Sequence, residues 1–340
     1  MWHLTNFEFS MYSLIKSILF FIPAERAHYF AMNSLSFLSR IGVLKYFFTT
    51  NYQPVSQFGL DFRNRLGMAA GFDKNAAYLH VLEDLGFGFV EIGTVTPRPQ
   101  EGNPKPRLFR LKSEEALLNR MGFNNLGADA VVENLKKYRK NQMIVGGNIG
   151  KNKDTPNESA FLDYEICFEK LFPYVDYFVI NVSSPNTPNL RELQEKDMLL
   201  KIIETIEKKQ NQFGLQKPLL LKIAPDLKEN QLDEIVYVFQ NSILEGLIVS
   251  NTTIDRSIIA DYSSYEAMGN GGLSGKPLAD KTNSIISYLK SKDASMPIIG
   301  VGGIDSREEA ENKMALGCEL IQIYSAFIYK GPQLVDVLTM

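Results

Sequence analysis

The chain has 340 residues, of which 45% are hydrophobic and 22% are charged, and its formal net charge at pH 7 is −3. This composition is typical of a folded globular protein and excludes a disordered chain, and the balanced charge gives no basic surface for nucleic acid. The two cysteines, Cys167 and Cys318, and the three histidines show no metal-ligand spacing, so neither a metal site nor a disulfide framework is predicted.

The first fifty residues differ in kind from those that follow. Twelve of them are aromatic, against 11% of the whole chain. Apolar residues recur at helical spacing over 9–22, and a second helix is predicted over Ala24–Ser39, after a proline. The longest unbroken apolar run, Ile18–Pro23, is far too short to span a membrane. We therefore predict an amphipathic helical segment, 1–50, ahead of a larger domain, 51–340; a helical hairpin packed on that domain is the alternative.

Beyond this segment, short apolar runs alternate with amphipathic helical stretches. The predicted strands are Leu66–Ala70, Phe89–Ile92, Ile144–Ile149, Tyr177–Val182, Leu219–Ile223, Leu247–Ser250, Ile298–Val301 and Leu320–Ile323. The predicted helices are Ala76–Leu85, Glu158–Phe172, Met198–Gln212, Glu229–Asn241, Leu278–Lys290 and Arg307–Leu316. Eight strands alternating with helices predict an α/β fold, a (βα)8 TIM barrel with an N-terminal amphipathic helical extension. A doubly wound open sheet is the alternative, although no GxGxxG motif follows the first strand.

In a barrel the chemistry lies at the carboxyl ends of the strands, and polar residues cluster there in this sequence. Asn148 and Asn181 lie in apolar runs, although asparagine is depleted in strands. Lys222 is the one charge in its strand, where an unpaired ammonium is costly to bury. It either reaches solvent at the strand end or faces a ligand that gains negative charge. Lys74 precedes a predicted helix, where the dipole disfavours a cation unless an anion lies nearby.

Glycine-rich segments suggest the kind of ligand. Gly302 and Gly303 follow the seventh predicted strand, and Tyr324 and Ser325 follow the eighth. These are the usual positions of a barrel phosphate site, where backbone amides approach the phosphate oxygens. A further glycine-rich loop lies at 271–275. Together with Lys222, these loops predict a phosphorylated cofactor across the barrel mouth.

Several sequence runs carry a resemblance to a known family. These runs are AAGFDKNA (69–76), EIGTVTPRPQEGNPKPRLFRL (91–111), NRMGFNN (119–125), NIGKNKDTP (148–156), NVSSPNTPNLR (181–191), KIAPDL (222–227), GGLSGKPL (271–278), GVGGIDS (300–306) and IQIYSAFIYKGP (321–332). They are similar to dihydroorotate dehydrogenases. Ser184 and the N-terminal helices resemble the membrane-associated, quinone-reducing class, because the soluble class is expected to have a cysteine as base and no such extension.

The resemblance implies that FMN is the cofactor and that (S)-dihydroorotate is oxidised to orotate in pyrimidine (UMP) biosynthesis. The implied FMN contacts are Ala70, Gly71, Lys74, Thr94, Asn148, Asn181, Lys222, Ser250, Gly275, Gly303, Tyr324 and Ser325. The implied substrate contacts are Lys74, Asn119, Arg120, Met121, Gly122, Phe123, Asn181, Asn186, Asn251 and Thr252. Amides both donate and accept hydrogen bonds, which suits a pyrimidinedione ring. Ser184 is the implied general base, and since no histidine is near it in sequence, a water or hydroxyl relay is expected to activate it.

The resemblance also implies how electrons leave. A membrane quinone is the expected acceptor, in a tunnel whose inner end consists of His28, Arg110 and Tyr324. The two helices are expected to lie in the membrane interface, peripherally, on the cytoplasmic side of the cell membrane (the inner membrane of a bacterium). Four basic residues are expected near anionic headgroups: Lys16, Arg26, Arg40 and Lys45. Three alternatives remain: a soluble-class enzyme that uses fumarate or NAD, another FMN barrel oxidoreductase, and a non-catalytic flavin- or phosphate-binding protein.

Overall fold

The computed structural model describes residues 12–48, 52–138, 143–260 and 262–339. In these ranges the helices are α1 (12–19), α2 (Ala24–Arg40), α3 (Leu79–Asp84), α4 (Ala128–Lys137), α5 (Ala160–Leu171), α6 (Lys196–Phe213), α7 (Glu229–Gln240), α8 (Ala279–Lys292), α9 (Arg307–Ala315), α10 (Ser325–Lys330) and α11 (Gln333–Thr339). The strands are β1 (Val55–Gln57), β2 (Leu60–Phe62), β3 (Leu66–Met68), β4 (Phe89–Val95), β5 (Leu108–Leu111), β6 (Ala116–Asn119), β7 (Ile144–Ile149), β8 (Tyr177–Asn181), β9 (Leu219–Ile223), β10 (Gly246–Val249), β11 (Gly272–Gly275), β12 (Ile298–Val301) and β13 (Leu320–Ile323).

Eight of these strands close into a single parallel barrel. Their order is β10-β12-β13-β3-β4-β7-β8-β9, and each of the eight predicted runs overlaps one of them. Helices cover the outside of the strands and side chains fill the inside, which is why the strands read as nearly continuous apolar runs. The predicted (βα)8 barrel is confirmed. The doubly wound alternative is excluded, because this sheet has no edge strands.

The amino-terminal end of the barrel is closed by the β1–β2 hairpin, which the sequence did not predict. Phe62 of this hairpin packs edge-on against Phe89, with ring centroids 5.3 Å apart. Both rings belong to a buried cluster with Tyr177, Leu220 and Ile248. Burial of each large apolar side chain stabilises the fold by about 1.5–3 kcal/mol, so the β1–β2 hairpin is a stable part of the core. Only the carboxyl-terminal end of the barrel is left for a site.

A small antiparallel sheet was also missed. It has the order β11-β6-β5, and it pairs Gly272 with Asn119, which are far apart in the chain. Helix α4 is a further element that the periodicity did not reveal. The sheet matters for function, because its residues lie beside the carboxyl ends of the barrel strands.

The segment after the first barrel strand corrects one prediction. The helix predicted over Ala76–Leu85 begins at Leu79 instead. Ala76 has a left-handed φ of 55°, and the buried Asp73 carboxylate accepts hydrogen bonds from two backbone amides, which holds these residues in a turn. Lys74 therefore does not precede a helix N-terminus, and the predicted unfavourable dipole does not act on it.

The two N-terminal helices meet at Pro23, as the sequence predicts, and α1 is anchored to α10. The Tyr12 hydroxyl donates to the Ile328 carbonyl oxygen at 2.7 Å, and the Lys16 ammonium donates to that of Tyr329 at 3.1 Å. Lys16 is thus turned towards the barrel, which corrects its expected place near headgroups. Arg26, Arg40 and Lys45 are exposed.

The outward face of the helical segment is apolar. Phe21 is 90% exposed, and Leu14, Ile18, Phe30 and Phe37 are each at least 59% exposed. Within the described residues, no helix has the length and hydropathy needed to cross a membrane. The helical pattern predicted for residues 9–11 lies outside the described residues, and so does the predicted boundary between residues 50 and 51.

Candidate active site

A cavity of about 1,210 Å³, partly open to solvent, lies at the carboxyl ends of the barrel strands. Its wall includes most of the predicted cofactor and substrate residues: Ala70, Gly71, Lys74, Thr94, Asn119, Met121, Gly122, Phe123, Asn181, Ser184, Asn186, Lys222, Ser250, Asn251, Thr252, Gly275, Gly303, Tyr324 and Ser325. Leu108, Leu117 and Ser274 of the small sheet also line it. The barrel thus brings together residues from nearly every strand end, and the small sheet covers part of the mouth.

Two of the predicted contact residues do not line this cavity. Asn148 is fully buried one layer deeper, where its side-chain oxygen accepts from the Thr94 hydroxyl at 2.5 Å. The Arg120 guanidinium points away and donates to the Pro106 carbonyl oxygen at 3.0 and 3.2 Å, with Phe109 beneath it. In this arrangement Asn148 orients Thr94, and Arg120 faces a neighbouring opening of the surface.

Lys222 has a buried partner that the sequence analysis missed. Its ammonium lies 3.1 Å from Oε1 of Glu91, and the two side chains are 5% and 0% exposed. Glu91 also accepts hydrogen bonds from the side-chain amides of Asn148, at 2.6 Å, and Gln322, at 2.7 Å. A carboxylate with three donors meets the requirement that a buried charge be paired and hydrogen-bonded. Lys222 lines the cavity, so the pair places a fixed cation at its floor.

The asparagines of the cavity orient one another. The Asn181 amide nitrogen donates to the Thr94 hydroxyl at 2.7 Å, and that of Asn251 donates to the Ser183 hydroxyl at 2.9 Å. On the other side, Asn186 donates to the side-chain oxygen of Asn119 at 2.9 Å. Because these bonds determine which end of each amide is the donor, they set a defined pattern of donors and acceptors for a polar ring.

Ser184 lies in the loop that follows β8 and is 6% exposed. Its hydroxyl accepts a hydrogen bond from the Asn186 backbone amide at 3.3 Å. The described histidines line other surfaces: His28 faces a second cavity, and His80 contacts the Ser36 hydroxyl at 3.0 Å. Neither of these two histidines lines the cavity that contains Ser184.

Arg191 braces the Ser184 loop, and the sequence analysis did not select it. Its guanidinium donates to the carbonyl oxygens of Ser183, at 3.0 Å, and Thr252, at 2.9 Å. The third contact is an ion pair with Asp226 at 2.8 Å. One side chain therefore links the loop that carries Ser184 to the segment that carries Asn251 and Thr252. Its place in the run NVSSPNTPNLR was the available signal.

Lys74 lies against the same cavity, and its ammonium donates to the side-chain oxygen of Asn124. Burial, followed by the positive charge of Arg107, lowers the pKa of Lys74 to about 7, while the charge of Glu25 opposes the shift. A lysine with this pKa is ready to gain a stable positive charge when an anion binds beside it.

The glycine-rich end of the cavity has the donors that phosphate requires. Gly302 and Gly303 both have positive φ values, 115° and 76°. A Cβ on Gly303 would lie 2.4 Å from the Ala279 backbone, so only glycine lets this loop approach the start of α8. Lys276 and Lys330 also line this end. Backbone amides and two ammonium groups suit a phosphate.

A second, mainly apolar cavity of about 1,780 Å³ lies between the N-terminal helices and the barrel. The polar side chains predicted for its inner end, His28, Arg110 and Tyr324, all line it. Tyr324, Leu108 and Leu117 line both cavities, so the two meet at these residues. An apolar cavity therefore lies between the N-terminal helices and the mouth, at the position where the tunnel is expected.

Among the described residues, Arg110 and His28 are the two basic side chains that line this apolar cavity. Arg110, on β5, donates to the carbonyl oxygens of Phe20 and Ile22 at 3.3 and 3.1 Å, which ties the α1–α2 connection to the small sheet. Burial, followed by the charge of Lys74, lowers the pKa of His28 to about 4. His28 is therefore neutral at physiological pH, and one of its ring nitrogens is hydrogen-bonded to the Phe72 backbone.

In (βα)8 barrel enzymes the active site lies at the carboxyl ends of the strands, which is where this cavity lies. The family model described as dihydroorotate dehydrogenase matches residues 53–339. The chain belongs to the dihydroorotate dehydrogenase family, and it is an oxidoreductase. The resemblance drawn from the sequence is confirmed.

Similar proteins extend the match to the N-terminal helices. A dihydroorotate dehydrogenase (quinone) of Christiangramia forsetii is 49% identical over 330 residues, which cover 95% of this chain and 96% of that protein. One of Xanthomonas oryzae pv. oryzae is 47% identical over 331 residues, covering 96% and 94%. Among solved structures, that of Eimeria tenella DHODH in complex with ferulenol has a TM-score of 0.83 and 35% identity, and it covers 93% of this chain and 89% of that one.

Proposed function

We propose that this protein oxidises (S)-dihydroorotate to orotate with bound FMN and passes the electrons to a membrane quinone, in the synthesis of pyrimidine nucleotides. The observation that carries the proposal is the meeting of two cavities at Tyr324, one with many polar side chains in its wall and one almost entirely apolar. The ring of dihydroorotate needs polar partners, whereas the ring of a quinone needs apolar surroundings. The two cavities supply both next to the proposed FMN site. The relatives named dihydroorotate dehydrogenase (quinone) support the choice of acceptor.

The cavity residues fit FMN at both ends of that molecule. The glycine-rich end offers backbone amides and Ser325 for the phosphate, and Lys222 with Thr94 and Asn181 suits the polar edge of the ring system. FMN, when bound, accepts the hydride that leaves ring carbon six of dihydroorotate. Lys222, held by Glu91, places its positive charge where negative charge develops.

The remaining polar groups suit the substrate. Lys74 pairs with its carboxylate, and the amides of Asn119, Asn186 and Asn251 hydrogen-bond the carbonyl and N–H groups of its ring. Ser184 accepts the proton from ring carbon five. Since Ser184 is buried and neither His28 nor His80 lines the cavity, the proton passes on through a water or hydroxyl relay.

The apolar face of α1 and α2 is proposed to lie in the membrane interface on the cytoplasmic side, with the tunnel opening into the lipid. Ile18 and Phe21 are 59% and 90% exposed, and burying such side chains in lipid is worth up to about 1.5–3 kcal/mol each. Arg26, Arg40 and Lys45 are exposed and able to approach anionic headgroups. Fumarate and NAD are charged and would lose their hydration in an apolar tunnel, so the tunnel favours a quinone over these two acceptors.

The test uses the purified full-length protein under anaerobic conditions. We expect an FMN absorbance spectrum that dihydroorotate bleaches and that a quinone restores. Recovery with fumarate or NAD instead of quinone would overturn the acceptor assignment. A flavin that dihydroorotate does not bleach would overturn the substrate assignment.

Membrane binding depends on the exposed apolar face in this proposal. The double variant Ile18→Ser, Phe21→Ser is expected to bind anionic phospholipid vesicles at least about tenfold more weakly, because two buried apolar side chains are lost. Bleaching by dihydroorotate should remain, since neither residue lines the mouth cavity. Vesicle co-sedimentation measures the first and anaerobic spectroscopy the second.

The matched control changes Leu162 and Ile166 of α5 to serine. These side chains are also exposed, by 45% and 39%, but lie on the barrel. Vesicle binding of this control should match that of the unchanged protein. Equal loss in both double variants would show that general surface hydrophobicity, and not this face, causes the binding.

Orotate binding is expected to weaken as the pH rises above about 7. The pKa of Lys74 is lowered to about 7, so its ammonium form, which pairs with the orotate carboxylate, is full below that pH and falls about tenfold per unit above it. The dissociation constant, measured from the flavin spectrum between pH 6.5 and 9, should therefore rise. Lys74→Met should bind weakly at every pH; an unchanged affinity of the natural protein across this range would remove Lys74 from carboxylate binding.

A further inference from the structure

A largely buried ion pair joins the N-terminal segment to the barrel. Glu25, in the first turn of α2, accepts two hydrogen bonds from the Arg107 guanidinium, at 2.7 and 3.1 Å. The side chains are 13% and 6% exposed. In the part of the chain that the structure describes, no other carboxylate pairs with Arg107. Burial opposes ionisation of Glu25, but the hydrogen bonds and charge of Arg107 outweigh it and lower the pKa of Glu25 below its ordinary value.

Arg107 also holds the backbone of the 101–107 loop in place. Its guanidinium also donates to the backbone carbonyl oxygens of Glu101, at 2.6 Å, and Asn103, at 2.9 Å. Gly102 lies between them with a φ of 80°, and a Cβ there would meet the guanidinium at 2.9 Å. The backbone is thus wrapped closely around a cation whose counter-charge comes from α2.

The wrapped loop in turn supports the segment proposed to contact the substrate. The Asn103 backbone amide donates to the Met121 carbonyl oxygen at 3.0 Å, and its side chain donates to the Arg120 carbonyl oxygen at 2.9 Å. The same side-chain amide reaches the Asn186 carbonyl oxygen at 3.3 Å. The Arg120 amide also donates to the Arg107 carbonyl oxygen at 2.9 Å. A continuous chain of contacts therefore runs from Glu25 to the cavity wall.

We propose that Glu25 and Arg107 are positioning residues that hold the substrate-binding segment 119–123 in place, so that the N-terminal helices set the affinity for the pyrimidine as well as forming the tunnel. Neither side chain lines the mouth cavity, so both act through the 101–107 loop. The inference rests on the proposed function, because it concerns the affinity of the site assigned there to dihydroorotate and orotate.

Charge alone predicts the opposite result for one variant. Orotate is an anion, and removal of a nearby negative charge on Glu25 would tighten its binding by relieving repulsion. Loss of the anchor instead leaves Arg107 buried without its counter-charge and frees the loop, which weakens binding. Because the charge of Glu25 also raises the pKa of Lys74, the constants are measured at pH 6, where the Lys74 ammonium is mostly formed. At that pH the direction of the change in Glu25→Gln separates positioning from electrostatics.

The experiment measures orotate dissociation constants of the full-length, FMN-loaded protein by flavin difference spectra. We expect the constant to rise at least about fivefold in Glu25→Gln and about tenfold in Arg107→Gln, since small displacements of positioning groups weaken binding strongly. The double variant should be no worse than Arg107→Gln alone, because both changes break one contact. Steady-state KM for dihydroorotate should rise likewise, with kcat changed less than about threefold.

Lys105→Gln is the matched control. Lys105 lies 3.7 Å from the same Glu25 carboxylate, but its side chain is 68% exposed and holds no loop. Like Arg107→Gln, this variant removes one positive charge beside Glu25, and it should bind orotate within about twofold of the natural protein. Amide hydrogen exchange over residues 97–107 should accelerate in Glu25→Gln and stay unchanged in Lys105→Gln.

Several results would overturn the inference. Orotate binding within twofold in both Glu25→Gln and Arg107→Gln, or tighter binding in Glu25→Gln, would show that the pair does not position the site. If Arg107→Gln fails to fold, Arg107→Lys keeps the charge without the two-pronged contact, and the same thresholds apply to it. A natural protein that does not bind orotate contradicts the proposed function itself, whereas normal binding with unaffected variants contradicts only this inference.

Discussion

Replacement of Ser184 by alanine is expected to slow the reduction of bound FMN by dihydroorotate about 10²-fold or more, the usual cost of losing a general base. Ser184 is 6% exposed at the cavity wall, and among the described residues no histidine lines that wall to take over the proton. FMN content and orotate affinity should change little, because the hydrogen bond that the Ser184 hydroxyl accepts from the Asn186 amide is long, at 3.3 Å. Anaerobic stopped-flow absorbance measures the reduction rate.

The control for this variant lies in the same loop. Thr187 is 4% exposed, it does not line the cavity, and its hydroxyl has no hydrogen-bond partner among the described residues. Thr187→Val should therefore reduce FMN at the natural rate. A near-normal rate in Ser184→Ala would remove this hydroxyl from the mechanism, and equal slowing in Thr187→Val would assign the effect to the loop conformation.

The second large effect is expected from Lys222→Ala. Removal of the ammonium leaves Glu91 as a buried carboxylate without its cation, and breaking a buried pair from one side costs about 3–5 kcal/mol. The cation proposed beside the reduced flavin is lost as well. We expect a lower thermal midpoint, weaker FMN retention and a lower flavin reduction potential. Thermal unfolding, bound-flavin absorbance and a redox titration measure the three quantities.

The double variant Lys222→Ala, Glu91→Gln separates stability from redox tuning. It removes both charges, so the thermal midpoint should recover most of its loss, while the flavin potential should stay low because the cation is still missing. An unchanged potential and FMN content in Lys222→Ala would show that Lys222 acts elsewhere. A double variant as unstable as Lys222→Ala would show that Glu91 is not the cause of the instability.

The N-terminal helices make contacts of two kinds in this structure. Arg110 ties the α1–α2 connection to the tunnel, and Glu25 ties α2 to the loop beside the substrate segment. The N-terminal helices thus line the apolar cavity directly and reach the mouth cavity through the 101–107 loop. The Glu25 variants therefore test the contact of α2 with the substrate segment separately from the tunnel assignment.

The barrel, and the end of it that carries the chemistry, follow from local sequence patterns. Parallel strands covered on both faces read as apolar runs, and eight such runs separated by helices leave few other folds. The carboxyl ends of these runs are readable one at a time, so the sequence pattern itself indicates Asn181 and Lys222, whereas Ser184 follows from the resemblance to the family. The motif runs then identified the family, because their length makes them specific.

The partners of these residues depended on how distant segments meet. Glu91 pairs with Lys222 across the barrel, and Glu25 pairs with Arg107 between α2 and a loop, at sequence separations of 131 and 82 residues. Periodicity reports only the local environment, so it showed that Lys222 needed a counter-charge without showing which carboxylate supplies it. Likewise, the hydrogen bond of Lys16 to α10 is a tertiary contact that the local charge pattern does not show. The turn at Ala76, in contrast, comes from local hydrogen bonds to the Asp73 carboxylate that outweigh helix propensity.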